Sequence, residues 1–227
     1  MNNNLQIENW LNEVTNECHE FALETDLDFY VFQTPIIYNP ELLIIGINPG
    51  GMGSYSQYLK KNNVKKRSPN SIYYSENTLI NKPEWEIENK LKGNDVMRNA
   101  FKRLFNKENN LDILQNTVFM NMFYFNTQKE IHINNIKTKD VIKKYCIEKT
   151  IEFIDIIRPK NILFLTSNNK NLKDVTIKNI EVVGNNIKKG LLKDKVVYAI
   201  PHYGSYSAYS YENSEKTGKS LSKIFLK

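Results

Sequence analysis

The sequence predicts an α/β domain built on a parallel sheet, and three observations carry that expectation. Four short apolar runs, Leu42–Ile47, Thr117–Phe123, Asn161–Thr166 and Lys195–Ile200, have the near-continuous hydrophobicity of strands buried on both faces. Segments with helical spacing of apolar residues lie between them, the pattern of right-handed crossovers joining parallel strands. Each run then gives way to a polar or Gly-rich segment. At 227 residues the chain suits one domain, 1–227, with a sizeable core.

In chain order, Leu5 to Glu24 spaces Leu5, Trp10, Leu11, Val14, Cys18, Phe21 and Ala22 as a helix would. Residues 26–38 are less regular and contain Pro35. The first strand ends abruptly at Asn48-Pro49-Gly50-Gly51, where Pro removes a ladder donor and Gly permits positive φ and close backbone approach. In an open α/β sheet such a loop, leaving the carboxyl end of a strand, is where ligands bind. Met52 to Asn94 is an insertion in which Tyr55, Tyr58, Tyr73, Tyr74 and Trp85 alternate with Lys60, Lys61, Lys65, Lys66 and Arg67. Aromatics interleaved with cations suit a surface that stacks bases and touches phosphates. The plainer alternative is a partly helical excursion whose aromatics pack downwards.

Asp95 is expected to cap a helix reaching Phe105, with Val96, Ala100, Phe101 and Leu104 inward. Thr138 or Asp140 starts a long amphipathic helix carrying Val141, Ile142, Tyr145, Ile151, Ile154 and Ile157, and Pro159 stops it. Asn168 to about Ile177 forms a short helix, and Ile180–Val183 with Ile187–Leu192 an edge strand or hairpin. Ser214 caps a closing helix with Leu221, Ile224 and Phe225 on one face.

Composition narrows the classes. No run of about 18 apolar residues is present to span a membrane. Met1-Asn-Asn-Asn has neither the basic start nor the apolar stretch of a secretory signal. Cys18 and Cys146 are the two cysteines; far apart in sequence, they form no zinc or iron–sulfur motif, and a cytoplasmic setting is expected. Neither metal nor other cofactor is implied. The net charge of +6 and the pI near 9.0 suit a polyanionic partner, although a lysine-rich solvated surface has the same composition.

The strand ends bring Asn48, Asn121, Ser167 and His202 to one edge of the sheet. Asn48 has a bland reading as the start of an Asn-Pro turn. Asn121, a polar residue inside an apolar strand, is either a satisfied core amide or the reader of a ligand with donor and acceptor edges. His202 directly follows a buried strand and precedes Gly204-Ser205. No nucleophile elbow, Walker loop or dinucleotide fingerprint is present.

Taken together, these residues resemble the uracil-DNA glycosylase superfamily, closest to its mismatch-specific uracil/thymine and single-strand-selective branches. Gly46-Ile-Asn-Pro-Gly50 is similar to that family's first motif, and Val118-Phe-Met-Asn121 to its strand with a base-reading Asn. Ile200-Pro-His-Tyr-Gly-Ser205 stands where the second motif falls, with Tyr203-Gly204 in place of Pro-Ser after the histidine. The resemblance implies a three-layer α/β/α sandwich around a four-stranded parallel sheet. It also implies cofactor-free hydrolysis of the N-glycosidic bond of uracil or a related deaminated base in DNA, the base-flipping chemistry of base excision repair. Asn48 and His202 would be catalytic; Gly46, Ile47, Pro49, Gly50, Tyr55, Tyr58 and Asn121 would hold the base. Ser167, Gly204, Ser205, Tyr206 and Ser207 would contact DNA, with Tyr206 or Tyr209 as a wedge. The partner would be single- or double-stranded DNA, bound by a monomer. Two other classes stay open: a catalytically weak nucleic-acid-binding protein that keeps the pocket, and a hydrolase or transferase of small nucleosides.

Overall fold

A computed structural model of the protein describes residues 3–50, 53–88, 93–105, 112–127, 138–205 and 208–225. The chain is α/β, and its single sheet is mixed. Strands β1 (Leu42–Gly46), β2 (Thr117–Asn121), β3 (Asn161–Phe164), β4 (Ile177–Gly184), β5 (Ile187–Leu192) and β6 (Lys195–Ala199) lie in the order β2-β1-β3-β6-β5-β4. The four apolar runs are the parallel part, with Gly46 opposite Asn121 and Ile45 opposite Phe164. The expectation of a four-stranded sheet is corrected to six. Lys193 takes the left-handed conformation (φ 54°) at the β5–β6 turn, and Asn186 (φ 57°) does so between β4 and β5, so this hairpin folds back antiparallel onto the open edge of β6.

Helix α1 (Asn3–Thr25) buries Trp10, Leu11, Val14, Cys18 and Ala22. It packs beside α6 (Lys139–Ile157) in a core with Leu43, Ile45, Val118, Met120, Ile162 and Phe164. The alternate strand residues Leu42, Ile44, Phe119 and Leu163 turn to the other face. There they meet α4 (Gly93–Leu104) and α8 (Tyr211–Phe225) through Phe101, Leu104, Leu221 and Phe225. The alternation is the period-two pattern of strands covered on both faces. Shorter helices, α2 (Tyr55–Asn62), α3 (Glu84–Glu88), α5 (Asp112–Gln115) and α7 (Asn169–Asp174), line the connections.

Several helix expectations shift. Val96 is 55% exposed, because α4 starts at Gly93 and presents Met97, Ala100, Phe101 and Leu104 inward, one residue out of step with Val96. Asp95 is therefore inside the first turn, where it accepts from Arg98 (2.9 Å) and Lys82 (3.1 Å). Val141 is 62% exposed beside the inward Ile142. Ser214 caps nothing: α8 begins three residues earlier, and Ser214 is buried within it. The helix expected from Asn168 to Ile177 stops at Asp174, and Ile177 opens β4 instead.

Candidate functional site

The site edge is formed where β1 and β2 end. Beyond β2 the chain stays close to β1, with Met122 and Phe123 N–H donating to the carbonyls of Gly46 and Ile47 (2.8 Å each). Asn126–Thr127 then reaches the Asn48–Pro49 turn. Asn48 Nδ2 donates to Thr127 Oγ1 (2.8 Å), Thr127 O (3.2 Å) and Pro49 O (3.2 Å). Two of these acceptors are carbonyls, so the amide nitrogen must face them and the amide's orientation is fixed by chemistry. Its Oδ1 has no partner among the described residues. Asn48 is half-buried, Pro49 is buried and Gly50 is exposed.

Asn121 is 2% exposed, and its Nδ2 has no hydrogen-bond partner among the described residues. Leaving such a group unpaired costs about 1–3 kcal/mol. Its Oδ1 lies across β1, 2.8 Å from where a Cβ on Gly46 would stand, with Phe119 at 3.2 Å from the same point. Gly46 is therefore glycine because the Asn121 amide occupies the space beside it. Gly50 has the opposite surroundings: no described atom lies within 4 Å of its would-be Cβ. Gly50 does not use the positive φ open to glycine, since no described glycine has one.

His202 lies just past β6, and β6 is two places from β1 in the sheet, about 10 Å at the usual strand spacing. Gly204 N–H donates to its Nδ1 (3.1 Å). With Nδ1 occupied as an acceptor, the neutral ring carries its proton on Nε2. His202 is solvent-exposed, and desolvation by the protein atoms on its inner side lowers its pKa from the ordinary imidazole value. The ring lies against Tyr203, with centroids 3.9 Å apart. His202 at this edge is thus a neutral imidazole with a free N–H donor.

The remaining expected residues divide. Ile47 lies beside Asn48, and its carbonyl is taken by Phe123. The Ser167 carbonyl accepts from Lys188 Nζ. Gly204 is exposed and serves His202, and Ser205 N–H donates to the His202 carbonyl (2.8 Å), closing a tight turn. Tyr206 and Ser207 lie outside the described residues. Tyr209 is 6% exposed, its hydroxyl donates to Pro201 O (2.8 Å), and its carbonyl accepts from Arg103 (2.9 Å), so a role as a wedge in DNA is corrected to one in the core.

Tyr55 and Tyr58 are also corrected. Tyr55 is 1% exposed, and its hydroxyl bonds His19 Nδ1 (2.8 Å) and accepts from Arg67 N–H (3.2 Å), so no face is left for a base. Tyr58 stacks on Tyr55 and carries the Arg67 guanidinium 3.5 Å from its ring centroid. Tyr55 and Tyr58 pack downwards, as the plainer alternative had it, and the Trp85 side chain lies outside what the structure describes. Arg67, 1% exposed, donates from one terminal nitrogen to both Asp28 carboxylate oxygens (2.7 Å each) and from the other to Ser71 O (3.0 Å).

Sequence reasoning missed Thr127, which holds Asn48 from 79 positions away. No local motif marks it. Its only signal was its place six residues beyond Asn121, on the chain leaving the neighbouring strand. No protein-family model matches the chain, and no curated protein sequence matches it.

Proposed function

We propose that the protein is a uracil-DNA glycosylase-like enzyme, hydrolysing the N-glycosidic bond of uracil or a related deaminated base in DNA from a three-layer α/β/α frame. The observation that carries this reading is the buried Asn121 amide, whose N–H₂ lacks a partner at the same sheet edge as the clamped Asn48. A deeply buried donor without an acceptor calls for an explanation, and beside a strand end a ligand that supplies the acceptor is the one this reading adopts. The O4 and N3–H edge of uracil offers an acceptor beside a donor, matching Nδ2 and Oδ1 of Asn121; cytosine offers the reverse pattern.

The chemistry follows from the ends left open. Thr127 consumes the donor end of Asn48 and leaves Oδ1 to accept a hydrogen bond from water. That water attacks C1′ of the flipped nucleotide as the C1′–N bond breaks; the bonding pair leaves with the base, and the proton the water sheds passes through solvent to the departing base anion. Asn48 orients this water without taking its proton, since an amide is no base at neutral pH. Charge developing on the departing base meets the Nε2–H of neutral His202 and the exposed Gly50 backbone, donors aimed where the charge grows.

Base release from oligonucleotides carrying uracil, hypoxanthine or a G·T mismatch, single- and double-stranded, tests this. Wild type should release a base, and Asn48→Ala and His202→Ala should each slow release at least about tenfold, or ~1.4 kcal/mol in barrier. No release from any substrate by folded wild type would discard the reading, and tight binding to the same oligonucleotides would then favour a binding protein. Release indifferent to both substitutions would discard the assigned site.

A further inference from the structure

We infer that Lys60, Lys61, Lys65 and Lys66 form a phosphate-binding strip that seats the DNA strand beside the site, an inference that rests on the DNA reading above. Four lysines fall within residues 60–66, and all four are exposed. None is paired with a described carboxylate. The one contact among them, from Lys66 to α1, goes to the neutral Asn16. Several lysines elsewhere are paired with carboxylates: Lys144 with Glu148, Lys149 with Glu13 and Glu152, Lys195 with Asp155, Lys216 with Glu212, Lys219 with Glu215.

Helix energetics account for only part of the run. Lys60 and Lys61 occupy the last turn of α2, where cations complement the macrodipole. Asn63, in the left-handed conformation, ends that helix, so Lys65 and Lys66 lie beyond its influence and need another reason.

The strip's position supplies the reason. Arg67 follows it directly and is locked to Asp28 at 2.7 Å from both carboxylate oxygens. The Asp28 carbonyl accepts from Asn126 N–H (2.7 Å), and the next residue, Thr127, holds Asn48. Few, rigid links therefore separate the lysines from the candidate water-orienting residue. Tyr58 and Tyr30 sandwich the guanidinium, with its carbon 3.5 and 4.3 Å from their ring centroids, which stiffens the joint. A mobile loop of lysines would bind any polyanion loosely. A braced strip beside the site fixes the register of a backbone while the base is read elsewhere.

The test uses binding of full-length protein to undamaged oligonucleotides, single-stranded and duplex, across salt concentrations. This makes it independent of base release. A Lys60→Gln/Lys61→Gln/Lys65→Gln variant is compared with Lys144→Gln/Lys216→Gln/Lys219→Gln, which removes equal charge from paired positions. The strip variant should weaken low-salt binding at least about tenfold and flatten the log K against log salt slope by roughly 2, at ~0.7–0.9 per phosphate lost. The control should change neither, and thermal midpoints should match wild type in both. Equal weakening by both variants would reduce the effect to net charge and overturn the strip. Binding unchanged by the strip variant, or absent in wild type, would also overturn it. So would preferential binding to phosphatidylserine vesicles lost in the strip variant, which would make it a membrane-facing surface. If uracil release fails while this pattern holds, the glycosylase chemistry is lost and the DNA surface stands.

Discussion

The sheet edge and the Met52–Asn94 insertion both bury polar groups among aromatics, yet they finish the task differently. In the insertion, the buried Arg67 meets both Asp28 oxygens and the Ser71 carbonyl, and three aromatic rings face its guanidinium. Its Nε alone among its nitrogens lacks a partner among the described residues. At the sheet edge, Asn121 leaves its whole N–H₂ unanswered, and Asn48 ties down one end of its amide while leaving the other open. Satisfied polar groups hold a fold together, whereas an open one beside a strand end is placed to meet something from outside. A functional residue is then recognised by what its partners leave over, more than by its type.

The comparison breaks first at Arg67. If its cluster is structural, Arg67→Met leaves Asp28 charged and buried without its partner, and stability should fall by about 3–5 kcal/mol. Urea unfolding followed by fluorescence measures this. The double variant Arg67→Met/Asp28→Leu should recover part of the loss, because replacing a whole buried pair with apolar groups costs much less than orphaning one member. A loss below ~1 kcal/mol for Arg67→Met would mean that the pair is solvated and that the insertion is not braced as described.

A change of opposite sign sharpens the comparison at Asn121. Asn121→Leu removes a buried, unpartnered donor and should raise stability by about 1 kcal/mol while ending base release. A stability loss of ~2 kcal/mol or more would show that the amide is paired in the free protein and is a core residue. Gly46→Ala is the companion test. Its Cβ would come within 2.8 Å of Asn121 Oδ1, forcing the amide aside, so release should drop with an overpacking cost of about 1–3 kcal/mol.

The same contrast explains what the sequence could tell. Strands β1 and β2 were legible because both their faces are buried, so hydrophobicity runs unbroken through Leu42–Ile45 and Val118–Met120, whereas β6 was legible as an apolar run although it exposes Val196. The β4–β5 hairpin was legible only as an edge, since β4 exposes Val182 and Val183 and its pattern fixes no register. Asn48, Asn121 and His202 stood out as polar residues where apolar runs end. Thr127 could not, because its role depends on a chain path after β2 that no periodicity encodes. Tyr55 and Tyr58 misled because a tyrosine beside lysines has the same composition whether its ring faces solvent or an arginine beneath it.

Asp26 gives the smallest test, two residues from Asp28. Its carboxylate accepts from Ser56 N–H (2.8 Å) and Ser56 Oγ (3.1 Å) at the start of α2, almost fully in solvent. The Ser56 N–H bond, then the hydroxyls, lower its pKa from the ordinary carboxylate value. A carboxyl whose folded pKa is depressed adds stability that is present above its unfolded pKa, about 3.9, and is lost as pH falls through the folded value. Asp26→Asn should therefore cost a little stability at neutral pH and nothing once the acid side of that window is passed. Plotted against pH, the wild-type and variant unfolding curves should converge below about pH 4. Solvent screening keeps the gap small, far below the loss at Arg67. A gap that persisted into acid would mean that the Asp26 side chain contributes shape and not charge, and that the ionic links of this region stop at the buried pair.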